Sequence, residues 1–309
     1  MKKKFLYYLV FLFISFQNAI AGSFHLDIVE VAPGIFVHQG EHHDVDEGYQ
    51  GDICNIGFII GKDSVAVVDS GGSLEIGKAL KASIRERTSL PIKYVINTLV
   101  HLEHIYGNAV FVNKNTKFIG HSELPKAMQL RKEIYERLNL EYLNTPIEKS
   151  IQIPPSIFIK VNESQIFDLG ERKIKISAYP SAHTNNDITI EDLKTGTLWA
   201  GDLLFVERTP VVDGDIHGII KVIDQLLSLK INLVIPGHGT PTIKWREAFK
   251  KHKNYFIILR DEVRNAIAED IGLQEAIETV AQSEAKKWEL FDVQNPRNIN
   301  QAYTQLEWE

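Results

Sequence analysis

Cysteine is almost missing from this chain. Cys54 is the only one in 309 residues, so no disulfide can form within it and the fold must rest on its core. Cys54 lies in the strand-like run 53–60, with no basic neighbour to lower its pKa. It reads as a small buried hydrophobe rather than a nucleophile. Positive charge is also in short supply: 34 Lys and Arg against 40 Asp and Glu give a net charge of −6. That balance argues against a nucleic-acid partner and against an anionic membrane surface. The marked apolar run at 5–16 is too short to span a bilayer comfortably. Solenoid-length repeats and low-complexity tracts are absent as well.

What is present begins with an address. Lys2, Lys3 and Lys4 precede the apolar run, and Ala19 and Ala21 supply the small-x-small pattern of a cleavage site. Residues 1–21 are expected to be a secretory signal cut after Ala21, the alternative being an uncleaved anchor. Cleavage removes three lysines and no acid, taking the charge from −6 to −9. The mature protein is expected to be periplasmic or secreted, with no membrane span left.

With 44% hydrophobic residues, the mature chain can bury one large core. Short apolar runs broken by Gly, Asp and Asn predict β structure over 24–69, and helical spacing follows at 74–87. Strands are expected at 90–97 and 117–120, a solvent-facing helix at 123–143, and an irregular connection at 145–161. Strands return at 173–179, 188–191 and 198–200, then a helix at 216–229 and a strand at 231–235. Beyond Pro241 only helical signal remains, at 245–267 and 273–288, followed by an Asn-containing tail over 291–309. The expected organisation is a main domain over 22–240 and a C-terminal helical extension over 241–309.

The chemistry centres on 97–108, where His101, Glu103 and His104 follow an apolar strand. Imidazole and carboxylate crowded at a strand end suit zinc, although an ordinary polar surface turn reads equally well in isolation. Three later segments repeat the placement: His183 after one strand, Asp202 just past another, and His238 in a glycine-flanked turn. Asp69, ending the strand before Ser70-Gly71-Gly72, either orients a metal-bound histidine from behind or caps the turn. The loop at 40–48 carries His42 and His43. It reads as a surface loop or a flap near the site, and neither histidine is taken as a ligand. His25, His38, His121, His217 and His252 are assigned ordinary structural roles.

The ordered set resembles the metallo-β-lactamase fold superfamily over about residues 30–240. The residues that carry the likeness are Leu99-Val100-His101-Leu102-Glu103-His104 where the family has HxHxDH, then Ala182-His183-Thr184, Gly201-Asp202, Pro236-Gly237-His238-Gly239 and the Asp69 turn. The resemblance implies an α+β fold, a four-layer αβ/βα sandwich with the metal site at one edge of two sheets. A narrower likeness, through 206–214 and 297–309, is to the exported quinoprotein relay system zinc metallohydrolases.

Two departures bear on the metal. The family's first site takes both leading histidines and the second-half histidine, but here Leu99 stands first and has no lone pair. That site keeps His101 and His183 with a share of Asp202. The second keeps His104, His238 and Asp202, with Glu103 where the family has Asp. Glu103 is one methylene longer, so it aims an attacking water differently.

The resemblance thus implies a hydrolase using one zinc, with the second ion disfavoured, that cuts an ester, thioester or lactam in a small-molecule substrate through a zinc-bound hydroxide. Glu103, His101 and His183 would be the catalytic groups, with the two histidines as base or substrate contacts. The competing expectation is a weakened or inactive periplasmic binding or accessory protein with a protein partner, for example in a quinoprotein dehydrogenase system. Family membership fixes the site and not the substrate.

Overall fold

The computed structural model describes residues 25–309, so the signal peptide expected at 1–21 lies outside the described residues. Seven strands form the first sheet in chain order: β1 (Ile28–Ala32), β2 (Ile35–His38), β3 (Ile56–Ile60), β4 (Val65–Val68), β5 (Ile92–Ile96), β6 (Lys117–His121) and β7 (Ile157–Ile159). The pairings are antiparallel up to β4 and parallel from β4 to β7. The second sheet runs β12-β11-β10-β9-β8, from β8 (Ser164–Asp168), β9 (Lys173–Ala178), β10 (Ile188–Asp192), β11 (Thr197–Phe205) and β12 (Leu233–His238). Only β11 and β12 pair in parallel there.

Both central strand sets are apolar at successive positions because both sheet faces are covered. In β4, Ala66 and Val68 face the second sheet, packing with Ile176, Ile190, Trp199 and Ile235. Val65 and Val67 face the other way, onto Ile76, Leu80 and Ile84 of α1 (Leu74–Arg87). In the second sheet Trp199 and Ile235 point inward, while Leu198, Ala200 and Val234 pack against α4 (Ile216–Leu227), α5 (Trp245–Ala268) and α7 (Phe291–Leu306). Helix, sheet, sheet, helix is the four-layer sandwich expected above.

The sheets are also linked through Arg172, which pairs with Asp192 of its own sheet and reaches across to the other. Arg172 donates to both Asp192 oxygens at 2.8 and 3.0 Å and, through Nη1, to the Ile60 carbonyl of β3 at 3.0 Å.

Several sequence expectations are corrected. The connection at 145–161 contains β7, which adds in parallel to β6, and β8 was not anticipated. The helix expected over 273–288 stops early: α6 is Leu273–Thr279, and the chain then turns at Ala281 with a φ of 59°. The tail at 291–309 is instead α7, despite Pro296 within it. Its asparagines are buried partners: Asn295 accepts from the Tyr255 hydroxyl at 2.9 Å, and Asn298 donates to Pro210 O at 2.6 Å. Helix α3 (Leu124–Leu143) flanks the loop that carries α2 (Leu102–Ile105), the turn holding Glu103 and His104.

Candidate metal centre

The strands end side by side, and their termini deliver the polar groups. Glu103 and His104 come from α2 just after β5, Asp202 from β11, and His238 is the last residue of β12. Asp202 lies within the strand rather than past it. The β11–β12 pairing slips at Gly201, whose φ of 53° turns the backbone and sends Asp202 into the centre. Gly237 must lack a side chain, because a Cβ there would meet Asp202 Oδ1 at 1.9 Å. Asn55 braces this turn, donating through Nδ2 to Pro236 O at 2.9 Å and Gly239 O at 2.7 Å.

All four histidines are held at one nitrogen by an oxygen that can only accept, which fixes the ring hydrogen there and turns the other nitrogen inward. His104 Nδ1 donates to Asp69 Oδ2 at 2.9 Å. Asp69 also accepts from Thr98 N at 2.8 Å and Thr98 Oγ1 at 2.6 Å. His238 Nδ1 donates to Ile53 O at 2.5 Å, and the ring of Phe205 stacks on it at 4.9 Å. His183 Nδ1 donates to Val211 O at 2.7 Å. His101 Nε2 donates to Asp213 Oδ2 at 3.0 Å, and Arg131 clamps the same oxygen at 2.5 Å.

The inward atoms fall into two sets that share Asp202: Glu103, His104, Asp202 and His238, all buried, and His101, His183 and Asp202. In the first set, His104 Nε2 lies 3.4 Å from Asp202 Oδ1, and His238 Nε2 lies 3.4 Å from Asp202 Oδ2. Glu103 Oε1 stands 4.0 Å from His104 Nε2 and 3.9 Å from His238 Nε2. Ligands about 2.0–2.1 Å from one tetrahedral zinc ion are about 3.3 Å apart, so this set has the right size. His104 Nε2 and Asp202 Oδ1 are buried and have no hydrogen-bond partner among the described residues. Burying two such atoms face to face without a bond is costly, and a divalent cation removes that cost. The donors fit a metal ion.

In the second set, His183 Nε2 lies 3.1 Å from Asp202 Oδ2 and 3.4 Å from His101 Nδ1. Leu99 is buried and adds no donor. A metal here depends on Asp202, which the first set also uses.

The electrostatics point the same way. Burial alone would make Asp202 harder to ionise, yet His238, His104 and His183 hold its pKa well below the carboxylate range. Burial opposes charge on His183 too, but Asp202 overrides it and lifts the pKa to about 9. His104 is likewise raised against burial, by the neighbouring carboxylates of Asp69 and Asp202. The cluster therefore attracts positive charge, which a metal ion supplies by displacing protons. Cys54 is buried, its thiol pushed up to about 12 chiefly by burial, so it is not a ready nucleophile.

A cavity of about 380 Å³ opens in front of the cluster. Its walls contain residues to which the sequence reading gave no role: Asp44, Arg131, Arg208, Asp213 and, from α7, Arg297 and Gln301. Arg208 and Asp213 fall in the segment 206–214 noted for its likeness, Arg297 and Gln301 in the segment 297–309, and Asp44 in the loop at 40–48; only Arg131 carried no signal. Asp44 and Val45 bring the 40–48 loop to the cavity, and Arg297 holds Asp44 at 2.8 Å. His42 turns away, toward Glu207 and Glu289, each at 3.7 Å.

Similar folds are known. The sec-alkylsulfatase Pisa1 from Pseudomonas sp. aligns with a TM-score of 0.72 at 16% identity over 91% of this chain, which spans only half of that enzyme's length. The metallo-beta-lactamase from Pontibacter korlensis aligns with a TM-score of 0.60 at 14% identity, over 75% of this chain and 99% of its own. One from Hirschia baltica gives 0.59 at 16% identity, over 75% and 97%. At these identities the likeness is one of fold. Residues 49–238, more than half of the sequence, match the profile of the metallo-beta-lactamase superfamily, and the chain belongs to that superfamily.

Proposed function

We propose that this protein is an exported hydrolase working with a single zinc ion held by His104, His238 and Asp202, with Glu103 beside them. The observation that carries the proposal is the orphaned pair His104 Nε2 and Asp202 Oδ1 inside a closed set of four buried donors. Zinc in such a site supplies an acidified water and polarises the bond under attack. The protein's own groups do the rest. The Glu103 carboxylate resists burial and is kept ionised by His104, His101 and His238, which suits it to accept a hydrogen bond from the attacking water and aim it. His101, braced by Asp213, and His183 line the cavity as proton acceptor or substrate contact.

The bond cut is an ester, thioester or lactam in a small molecule, and the alkylsulfatase likeness adds sulfate esters to the classes worth testing. Among the described residues no helix is long and apolar enough to cross a membrane. The test is a substrate panel run on the mature protein, with and without a chelator, and on His238→Ala. Turnover that disappears with both treatments supports the proposal; turnover that survives both sinks it. Export is checked by sequencing the N-terminus of secreted protein, expected to begin at Gly22.

A second reading is a periplasmic binding or accessory protein, of the kind the quinoprotein relay likeness suggests. It is favoured by the apolar Leu99, which stands where the family has a ligand, and by the longer Glu103. Hydrolysis lost in His238→Ala would rule it out.

A further inference from the structure

Gln294, Asn298, Gln301 and Gln305 recur every three or four residues along α7, so they share one face. A polar stripe of this kind usually faces water. Here it meets protein. Gln294 donates to Asp44 of the 40–48 loop at 3.1 Å, and Gln305 bonds Gly214 and Ile216 at the end of the segment between β11 and α4.

Asn298 grips the middle of that segment. It is 1% exposed, its Oδ1 accepts from Val212 N at 3.0 Å, and its Nδ2 donates to Pro210 O at 2.6 Å and to the Tyr255 hydroxyl at 2.8 Å. A carbonyl only accepts and a backbone N–H only donates, so an amide in this one orientation satisfies both. Val211 lies between the two grips and its carbonyl points the other way, accepting from His183 Nδ1 at 2.7 Å. Two residues on, Asp213 N donates to His183 O at 2.8 Å, and Asp213 Oδ2 accepts from His101 Nε2 at 3.0 Å. The acceptors that orient His183 and His101 thus sit on a segment whose other side is bonded to α7. His104 and His238 are oriented instead by Asp69 and Ile53, which lie outside this segment.

We propose that Asn298 is a positioning residue for His183 and His101, fixing both rings through Val211 and Asp213. Helix α7 lies beyond residues 49–238, which match the superfamily profile, so the C-terminal extension itself supports two histidines of the site. The bearing of this support on catalysis rests on the hydrolase proposal; the positioning does not.

The test is the exchange of histidine ring N–H protons with water, followed by NMR on metal-free mature protein carrying isotope-labelled histidine. Asn298→Ala should speed exchange at His183 and His101 by about tenfold or more and leave His104 and His238 as in the wild type. Asn298→Asp keeps the bond to Val212 but sets an oxygen against Pro210 O. It should fall between the two, and it serves if the Ala variant does not fold. Tyr255→Phe disturbs the same buried cluster but leaves both grips on the segment, so its exchange should match the wild type. Unchanged exchange at His183 in the Asn298 variants, equal acceleration at all four histidines, or the same effect in Tyr255→Phe overturns the proposal. Absence of hydrolysis would not alter these rates, so the two proposals fail separately.

Discussion

Exchanging Asp69 for asparagine replaces one oxygen with an NH2 group in a place that water does not reach. Asp69 is fully buried and has a φ of 52°, a left-handed conformation that asparagine adopts more readily than most residues. The backbone is therefore kept and only the side-chain chemistry changes. Three hydrogens converge on the carboxylate, from Thr98 N, Thr98 Oγ1 and His104 Nδ1. Asparagine has one oxygen, so its NH2 must face either the Thr98 N–H or the His104 ring. The first arrangement opposes two donors. The second drives the ring proton from Nδ1 to Nε2, the nitrogen that points at Asp202. A buried donor left without an acceptor costs about 1–3 kcal/mol, so metal-free Asp69→Asn should melt several degrees lower. Zinc affinity, measured by competition with a chromophoric chelator, should fall about 10- to 100-fold. A variant that binds zinc as tightly as the wild type would refute the claim that Asp69 sets the His104 tautomer.

Other perturbations test other parts of the account. Leu99→His supplies the missing imidazole and should raise zinc content from about one towards two per chain by elemental analysis; an unchanged ratio would mean that residue 99 does not face the second set. Arg172→Met leaves Asp192 charged and buried, with only Thr195 to bond it. Stability from urea unfolding should fall by about 3–5 kcal/mol with zinc content unaltered, and a loss near zero would contradict the role given to Arg172 in pairing Asp192 and linking the sheets. Burial would raise the Asp44 pKa, but its bond to Arg297 brings it below the ordinary 3.8. Its contribution is therefore complete above pH 3.8 and disappears as pH falls through the lower folded value. Hydrogen exchange at 41–48 should stay protected from neutral pH down to about 4 and open below it, whereas Asp44→Asn should be less protected throughout; identical profiles would remove Asp44 as the latch between this loop and α7.

Much of the architecture was legible in the sequence because local pattern and tertiary role agree. Helix α1 matches its expected bounds of 74–87, with Ser73 capping Ile76 N and Ile76, Leu80 and Ile84 on one face. Strand β8 was hidden because it is a mostly exposed edge with no apolar alternation, and β7 because it is three residues long and follows Pro154 and Pro155. Helix α7 was read as a tail because asparagine usually marks loops. Here Asn295 and Asn298 are buried against Tyr255, a pairing that only the folded chain creates. The metal-capable residues stood out because each lies within or close after an apolar run. Arg208, Asp213 and Arg131 did not, since charged residues on a loop or helix face look solvated until the fold closes around them.

The central claim is that His104, His238, Asp202 and Glu103 form one metal site. Elemental analysis of the purified mature protein, beside His238→Ala, tests it most directly. The account predicts about one zinc per wild-type chain and almost none in the variant. A wild-type chain that binds no metal when offered zinc would contradict it.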